Sequence, residues 1–209
     1  MKITWYGHSC FMIESAEGSA VFDPYAPGSV PGLKLPPLTA DAVLCSHGHR
    51  DHGYAEGVRL SGSTPAFRVE TIDCFHDAEG GRLRGENTIH VVTAEGLRVA
   101  HLGDLGHMLS PEQLEKLGRP DVLLLPVGGH YTIGPETAAE LAEAVGARIT
   151  VPMHYRGRGF GYPVIGPVED FTARVRGVRL LDGNVLEPET IEGSAVVVLR
   201  CPVKKGLFH

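Results

Sequence analysis

The stretch SHGHRDH covers Ser46–His52 and follows directly on the apolar run AVLC. Such a run predicts a short buried strand, so the stretch lies in a loop at that strand's carboxyl end. One histidine on an apolar face is usually structural, but the spacing H-x-H-x-D-H predicts a metal site. His47 and His49 can bind one metal ion, and Asp51 and His52, which are offset from them, can reach a second.

Short apolar runs of β type lie on both sides of this motif. Up to the motif, ITWYG, CFMIE, AVFD and DAVLCS alternate with turns, which predicts a sheet built as a meander. Between them, the proline-rich stretch PYAPGSVPGLKLPPL predicts an irregular surface loop able to border a cleft. After it come AFRVETIDCF, TIHVVTAE, LRVAHLG, DVLLLPVG, RITVPMHY, VRLL and AVVVLR. The count of about a dozen short strands predicts two sheets.

Helices are predicted only in the later part of the chain. Ser110 is an N-cap with a capping-box partner at Gln113, and the segment Pro135–Val145 has one apolar face. A third helix begins near Pro167 and ends before Gly177. Strands first and strand–helix units later predict an α/β (α+β) fold, a four-layer αββα sandwich in a single domain over residues 1–209. A doubly wound sheet is excluded because the opening meander has no helices.

Composition limits the partners. The net charge of -6 has no compensating basic block, so we expect no nucleic-acid partner. No apolar stretch is long enough to cross a bilayer, and the beginning MKITWYGHSCFMIES lacks the apolar core of a signal peptide. We therefore expect a cytoplasmic protein that acts on a small molecule. The sequence leaves the oligomeric state open.

The motif and its surroundings resemble the metallo-β-lactamase superfamily. In that family H-x-H-x-D-H is followed by a histidine at a later strand end, an aspartate in a Gly-Asp pair and a final histidine. This chain has His76 in CFHD, Asp104 in HLGD and His154 in PMHY. WYGHSCF, RGENT and PVGGHYT are similar to the branch with ascorbate-6-phosphate lactonase-like proteins and uncharacterised Zn-dependent hydrolases.

The resemblance implies two metal ions per chain. It assigns His47, His49 and His76 to the first metal, Asp51, His52 and His154 to the second, and Asp104 as a bridge. A bridging carboxylate reduces the repulsion between two cations roughly 3.5–4 Å apart. Zinc is the expected metal because the site is rich in histidine, with Mn and Fe as alternatives.

The residues outside the ligand set have weaker signals. Asp51 and Asp104 are expected to be catalytic as ligands, and His130 either protonates a leaving group or is an ordinary loop histidine. His8 either contacts the substrate and ligands or packs in a turn. Arg156 and Arg158, on the Gly-rich loop after the last ligand, are predicted to bind an anionic substrate, and Arg82 and Arg84, soon after His76, can join them from another loop. Gly103 lets the backbone approach the metals or the substrate, or is an ordinary turn glycine, and both can hold.

The expected reaction is hydrolysis of an ester, lactone, amide or phosphoester bond by a metal-bound hydroxide, in a small substrate that carries an anionic group. An iron-dependent oxidoreductase on the same fold is the main alternative. A nuclease is less favoured because the chain is acidic. A metal-binding scaffold without activity is also less favoured, because the ligand set is intact.

Overall fold

The computed structural model describes residues 1–203, so residues 204–209 of the predicted domain lie outside the described part. The first strands are β1 (Lys2–Gly7), β2 (Cys10–Ser15), β3 (Gly18–Phe22), β4 (Leu38–Ala40), β5 (Ala42–Leu44), β6 (Val58–Leu60) and β7 (Arg68–Phe75). The later strands are β8 (Glu86–Ala94), β9 (Leu97–His101), β10 (Val122–Pro126), β11 (Ile149–Met153), β12 (Val178–Leu180), β13 (Val185–Leu186) and β14 (Ala195–Val198). The α-helices among these residues are α1 (Pro111–Leu117), α2 (Pro135–Val145) and α3 (Val168–Thr172), and Ala55–Gly57 and Pro188–Thr190 are short 3-10 turns.

The strands form two main sheets. One has the order β13-β1-β2-β3-β5, and the other has the order β12-β14-β11-β10-β9-β8-β7. The predicted opening meander is confirmed for β1, β2 and β3, which pair antiparallel in sequence order. It is wrong for the run DAVLCS, because β5 pairs parallel with β3 after the long loop and β4 that separate them. A small third sheet pairs β4 with β6.

The main core lies between the two large sheets. Phe11 and Ile13 of β2 face this core, whereas Cys10 and Met12 alternate onto the other face of the sheet and join a second apolar cluster. That second cluster includes residues of the β3–β4 loop and of the small sheet. In β10 every residue is buried, which explains its continuous apolar sequence, and α2 contacts this strand. The predicted αββα sandwich is confirmed.

The helices begin where the sequence predicts. Ser110 accepts a hydrogen bond from the Gln113 backbone in a complete capping box. Helix α2 has the predicted bounds. Helix α3 is shorter than predicted: it ends at Thr172, because the Arg174 N–H bonds to the Phe171 carbonyl and tightens the last turn. Among residues 1–203, no helix is long and apolar enough to cross a membrane.

Strand direction determines where the loops meet. Strands β9, β10 and β11 run parallel, and β7 runs the same way because two antiparallel pairings connect it to β9. In the other large sheet, β1, β3 and β5 likewise share one direction. The carboxyl ends of strands that share a direction lie at one edge of their sheet. This edge carries the loops with the predicted ligands.

The cap of α1 gives a stability prediction. We expect Ser110→Ala to lower the free energy of unfolding by about 1 kcal/mol, because the Gln113 backbone N–H loses its acceptor. Urea denaturation followed by circular dichroism measures this. Ser63→Ala is the control, since Ser63 is exposed and caps no helix. Equal losses for both variants would show that the cap does not stabilise the protein.

Candidate metal centre

The predicted ligands all follow the carboxyl ends of strands. The motif loop with His47, His49, Asp51 and His52 follows β5, and the other three, His76, Asp104 and His154, follow β7, β9 and β11. His8 follows β1 in the same way. Because these strands share a direction within each sheet, residues far apart in sequence meet at one end of the sandwich.

Asp104 lies at the centre of the cluster and is only 2% exposed. Its Oδ1 is 2.9 Å from His52 Nε2. Its Oδ2 is 3.2 Å from both His76 Nε2 and His154 Nε2, and 4.0 Å from His47 Nε2. One carboxylate therefore faces four imidazoles, which is the position that a shared ligand requires.

The ligand atoms form overlapping groups whose members lie within 4.8 Å of one another. One group is His47, His49 and His76, the set that the family resemblance implies for the first metal. A second group is His47, His52 and Asp104, and a third group is His8, His52 and His154. In the last group His8 takes the place expected for Asp51.

Asp51 lies beside that third group. Its Oδ1 is 3.4 Å from His52 Nδ1, and its Oδ2 is 3.3 Å from His8 Nε2. Asp51 is therefore within reach of the second set of ligands. His8 is buried and contacts a predicted ligand, so it is more than a turn-packing residue.

The donor set fits a metal. Six buried atoms of the predicted ligands have no hydrogen-bond partner of acceptable geometry: His47 Nε2, both ring nitrogens of His52 and of His154, and Asp104 Oδ1. Leaving a buried polar atom unsatisfied costs about 1–3 kcal/mol, so such a group needs an explanation. Imidazole nitrogens and a carboxylate oxygen are ligands for zinc and related divalent ions, and bound cations would satisfy the carboxylate oxygen and one nitrogen of each of these imidazoles.

The electrostatics favour a cation. Burial lowers the pKa of His47 to about 2, so its imidazole is neutral and its lone pair is free for a metal. Burial also disfavours charge on His52, yet Asp104 and Asp51 raise the pKa of His52 well above its usual value. The carboxylates of Asp104 and Asp51 therefore favour positive charge beside His52. A divalent ion can replace the proton on His52.

A cavity of about 270 Å³ opens over the cluster. Four predicted ligands line it, together with Arg84, Tyr131 and Tyr162. Tyr131 contributes its carbonyl to His76 Nδ1 at 3.1 Å, and the Tyr162 hydroxyl lies 3.2 Å from Asp51 Oδ2. The volume suits a small molecule rather than a polymer.

Comparison with known proteins identifies the family. The family model of the beta-lactamase superfamily domain matches residues 2–154, a range that includes every predicted ligand. The chain belongs to the metallo-β-lactamase superfamily. A UPF0173 metal-dependent hydrolase from Archaeoglobus fulgidus is 31% identical, over 90% of this chain and 96% of its own. Another UPF0173 metal-dependent hydrolase, from Methanoculleus marisnigri, is 32% identical, and the alignment covers 92% of this chain and 96% of that protein.

Among solved structures, a protein from Thermotoga maritima described as a Zn-dependent hydrolase of the superfamily is similar, with a TM-score of 0.75 and 37% identity. The alignment covers 95% of this chain and 97% of that protein. The chain is a metal-dependent hydrolase of the metallo-β-lactamase superfamily. The predicted family, fold and enzyme class are confirmed, while the roles of individual residues stay predictions.

A buried relay that sequence reasoning did not identify orients the superfamily's histidine motif. Asp23 accepts hydrogen bonds from Ser46 N at 2.6 Å and from Ser46 Oγ at 2.7 Å. Ser46 Oγ in turn lies 2.9 Å from His47 Nδ1, so Nδ1–H donates to it and Nε2 is left for a metal. The available signal was positional, because Asp23 ends the run AVFD as the motif follows AVLC.

A second supporting residue, Asn87, holds Asp104. Asn87 Oδ1 accepts from the Asp104 backbone N–H at 2.8 Å, and Nδ2 donates to the Leu102 carbonyl at 3.0 Å. Gly103 has φ +55°, and a Cβ there would overlap Asn87 Oδ1 and the Ser46 side chain. The glycine thus allows close packing of loops against the turn, and the approach of its backbone to metals or substrate stays a prediction.

Three residues of the site have backbone conformations that side chains rarely adopt. His8, Asp23 and His154 have φ values of 53°, 44° and 53°. Such left-handed residues cost of order 1 kcal/mol each and persist where surrounding contacts hold them. Here the His154 N–H donates to the His8 carbonyl at 3.2 Å. Each turns the chain sharply at a strand end and directs its side chain into the cluster.

Three predicted residues belong neither to the ligand cluster nor to the cavity lining. His130 is exposed, and its ring meets Tyr131 edge-on with 4.5 Å between centroids. Arg156 donates from Nε to the Ile165 carbonyl at 2.7 Å and lines a separate hollow. Arg158 is exposed. The basic residue that the structure brings to the cavity is Arg84, so the roles of the other three stay predictions.

The Asn87 contacts predict a metal-affinity effect. We expect Asn87→Ala to weaken zinc binding by about 10–100-fold, because the backbone of Asp104 loses the contact that fixes it. Competition with a chromophoric chelator measures the affinity. Asn184→Ala is the matched control, since Asn184 Nδ2 donates to the Trp5 carbonyl away from the metal cluster. Equal zinc affinities in the two variants would show that Asn87 does not support the centre.

Proposed function

We propose that the chain binds two divalent metal ions and hydrolyses an ester, lactone, amide or phosphoester bond of a small molecule. The observation that carries this is the position of Asp104. Its Oδ1 faces His52, and its Oδ2 lies 3.2 Å from both His76 and His154. His76 belongs to the first proposed ligand set, and His52 and His154 belong to the second, so the carboxylate contacts both sets and suits a bridge between two cations.

In this proposal each metal has its own protein ligands. His47, His49 and His76 bind the first ion, and Asp51, His52 and His154 bind the second, with Asp104 shared. Zinc is the proposed metal because imidazoles dominate the set, and Mn and Fe are the alternatives. When bound, such ions polarise the scissile oxygen and lower the pKa of water to about 7.

The chain's own residues hold these ligands in the required protonation state. The Tyr131 carbonyl accepts from His76 Nδ1, which leaves Nε2 directed at Asp104. His8 Nε2 and the Tyr162 hydroxyl both contact Asp51 Oδ2, so this carboxylate is held from two sides. Burial and the nearby Asp51 raise the pKa of Tyr162, so the phenol stays a neutral donor.

The proposed substrate is a small molecule rather than a nucleic acid. The cavity is small, and the chain's net charge of -6 opposes phosphodiester polymers. The cytoplasmic location stays a prediction.

The metal content tests the two-metal proposal. We expect close to two zinc ions per chain after incubation with excess zinc and removal of the unbound metal. Asp104→Ala should retain fewer than one, because both sites lose a ligand. Elemental analysis gives the number, and Asp73→Ala, at an exposed acid of β7, is the control. A single metal in the wild type would contradict the proposal, and a coloured iron protein would favour the oxidoreductase alternative.

Activity distinguishes the shared ligand from the proposed proton donor. On a panel of 4-nitrophenyl esters and phosphoesters, lactones and amides, Asp104→Ala should abolish turnover. His130→Ala should retain more activity, because the loss of a general acid lowers rates by about 10²–10⁴-fold. Normal kcat and metal content in Asp104→Ala would show that the bridging assignment is wrong.

A further inference from the structure

Arg84 reaches the cavity over the metal cluster from the loop between β7 and β8. It lines this cavity with His76, Tyr131 and Tyr162, and it is partly buried. The hydrolysis proposed above does not use this side chain. A cation in the wall of a cavity that holds metal ligands needs a separate explanation.

The loop that presents Arg84 is fixed by a buried carboxylate. Asp77, 2% exposed, accepts four backbone N–H groups of the loop. Oδ1 takes those of Glu79 and Gly81 at 2.8 and 3.0 Å, and Oδ2 takes those of Leu83 and Arg84 at 3.0 and 2.7 Å. The backbone of Arg84 is therefore held in place before any ligand binds.

The side chain of Arg84 is positioned by an aromatic ring. Its guanidinium carbon lies 5.8 Å from the centroid of the Tyr131 ring, which is cation–π distance. The Tyr131 carbonyl also accepts from His76 Nδ1. Tyr131 thus connects the position of the guanidinium to a predicted metal ligand.

The guanidinium of Arg84 has no carboxylate partner among residues 1–203. Some arginines of the described residues are paired, such as Arg82 with Glu79 at 2.8 Å and Arg174 with Glu136 at 2.7 Å, and others are unpaired but do not line this cavity. The acids that share the cavity with Arg84 are the metal-ligand candidates Asp51 and Asp104. Since metals would neutralise those acids, the charge of Arg84 is left for a ligand.

We propose that Arg84 binds an anionic group of the substrate, a carboxylate or a phosphate, separate from the bond that is hydrolysed. This rests on the proposed hydrolase function, in which the scissile group lies at the metals. Because the cavity measures about 270 Å³, the anion and the scissile bond belong to one small molecule. Guanidinium binds such groups through paired N–H donors. The sequence indicated this role for Arg156 and Arg158, with Arg82 and Arg84 as further candidates, and Arg84 is the one of the four that lines the cavity.

Kinetics with matched esters test the proposal on the zinc-loaded full chain. 4-Nitrophenyl hydrogen succinate and 4-nitrophenyl butyrate have acyl chains of equal length, and only the first carries a terminal carboxylate. We expect the wild type to favour the succinate ester in kcat/KM by about tenfold or more. Arg84→Ala should lose this preference through a higher KM. Arg82→Ala, two residues away and paired with Glu79, should keep it.

A third ester identifies the anion. If 4-nitrophenyl 3-phosphonopropanoate has the higher kcat/KM, the site prefers to bind a phosphate-like group. If the succinate ester has the higher kcat/KM, the site prefers a carboxylate. Arg84→Gln keeps much of the side chain's length and replaces Arg84→Ala if that variant does not fold. Equal kcat/KM for the three esters, or a preference that survives in the Arg84 variant, would overturn the proposal.

A binding measurement separates this inference from the hydrolase function. Calorimetric titration with succinate and butyrate needs no turnover, and succinate offers a second carboxylate. We expect succinate to bind about tenfold or more tightly than butyrate in wild type and Arg82→Ala, but not in Arg84→Ala. Arg84-dependent succinate binding without hydrolysis of any ester, phosphoester, lactone or amide of the panel would overturn the proposed reaction alone. Hydrolysis with equal binding of the two acids would overturn the Arg84 proposal alone.

Discussion

The burial of the Asp104 carboxylate among four imidazoles is the interaction on which the rest of the site depends. A buried carboxylate is unfavourable unless charge or hydrogen bonds compensate for its lost hydration. Burial would raise the pKa of Asp104, but His154 and His52 hold it well below its usual range. The carboxylate therefore stays ionised, and the atoms around it still lack full hydrogen bonding. A divalent cation would balance the buried negative charge and would also bind atoms that lack hydrogen-bond partners.

The sandwich makes this cluster by strand direction. Each predicted ligand follows a strand whose carboxyl end lies at the same end of the molecule, so ligands more than 100 residues apart, such as His47 and His154, meet without long connecting loops. The left-handed residues at His8, Asp23 and His154 show how sharply the chain turns there. The sheets form a rigid scaffold, and the loops at the strand ends carry the predicted metal ligands.

Local sequence was sufficient to predict many of the strands, a helix start and the position of the metal site. Apolar runs predicted the strands, Ser110 and Gln113 predicted a helix start, and the spacing from His47 to His52 predicted a metal site. The residues that were not predicted, Asp23 and Asn87, depend on contacts distant in sequence. Of the four arginines that the sequence indicated for an anionic substrate, Arg84 reaches the cavity because Asp77 folds its loop, whereas Arg156 follows a ligand directly yet turns to the Ile165 carbonyl. Proximity along the chain does not determine which arginine faces the site.

Three buried aspartates have different partners, and this divides their roles. Asp77 is satisfied by backbone N–H groups and Asp23 by Ser46, so each holds a loop by contacts that need no metal. Asp104 has one backbone contact through its own N–H, to Asn87, but its carboxylate faces only imidazoles. The loops around the centre are therefore organised by the protein, and the carboxylate between them is the group that a metal must complete. Because the protein itself orders these loops, the free energy of metal binding does not have to offset the entropy cost of ordering them.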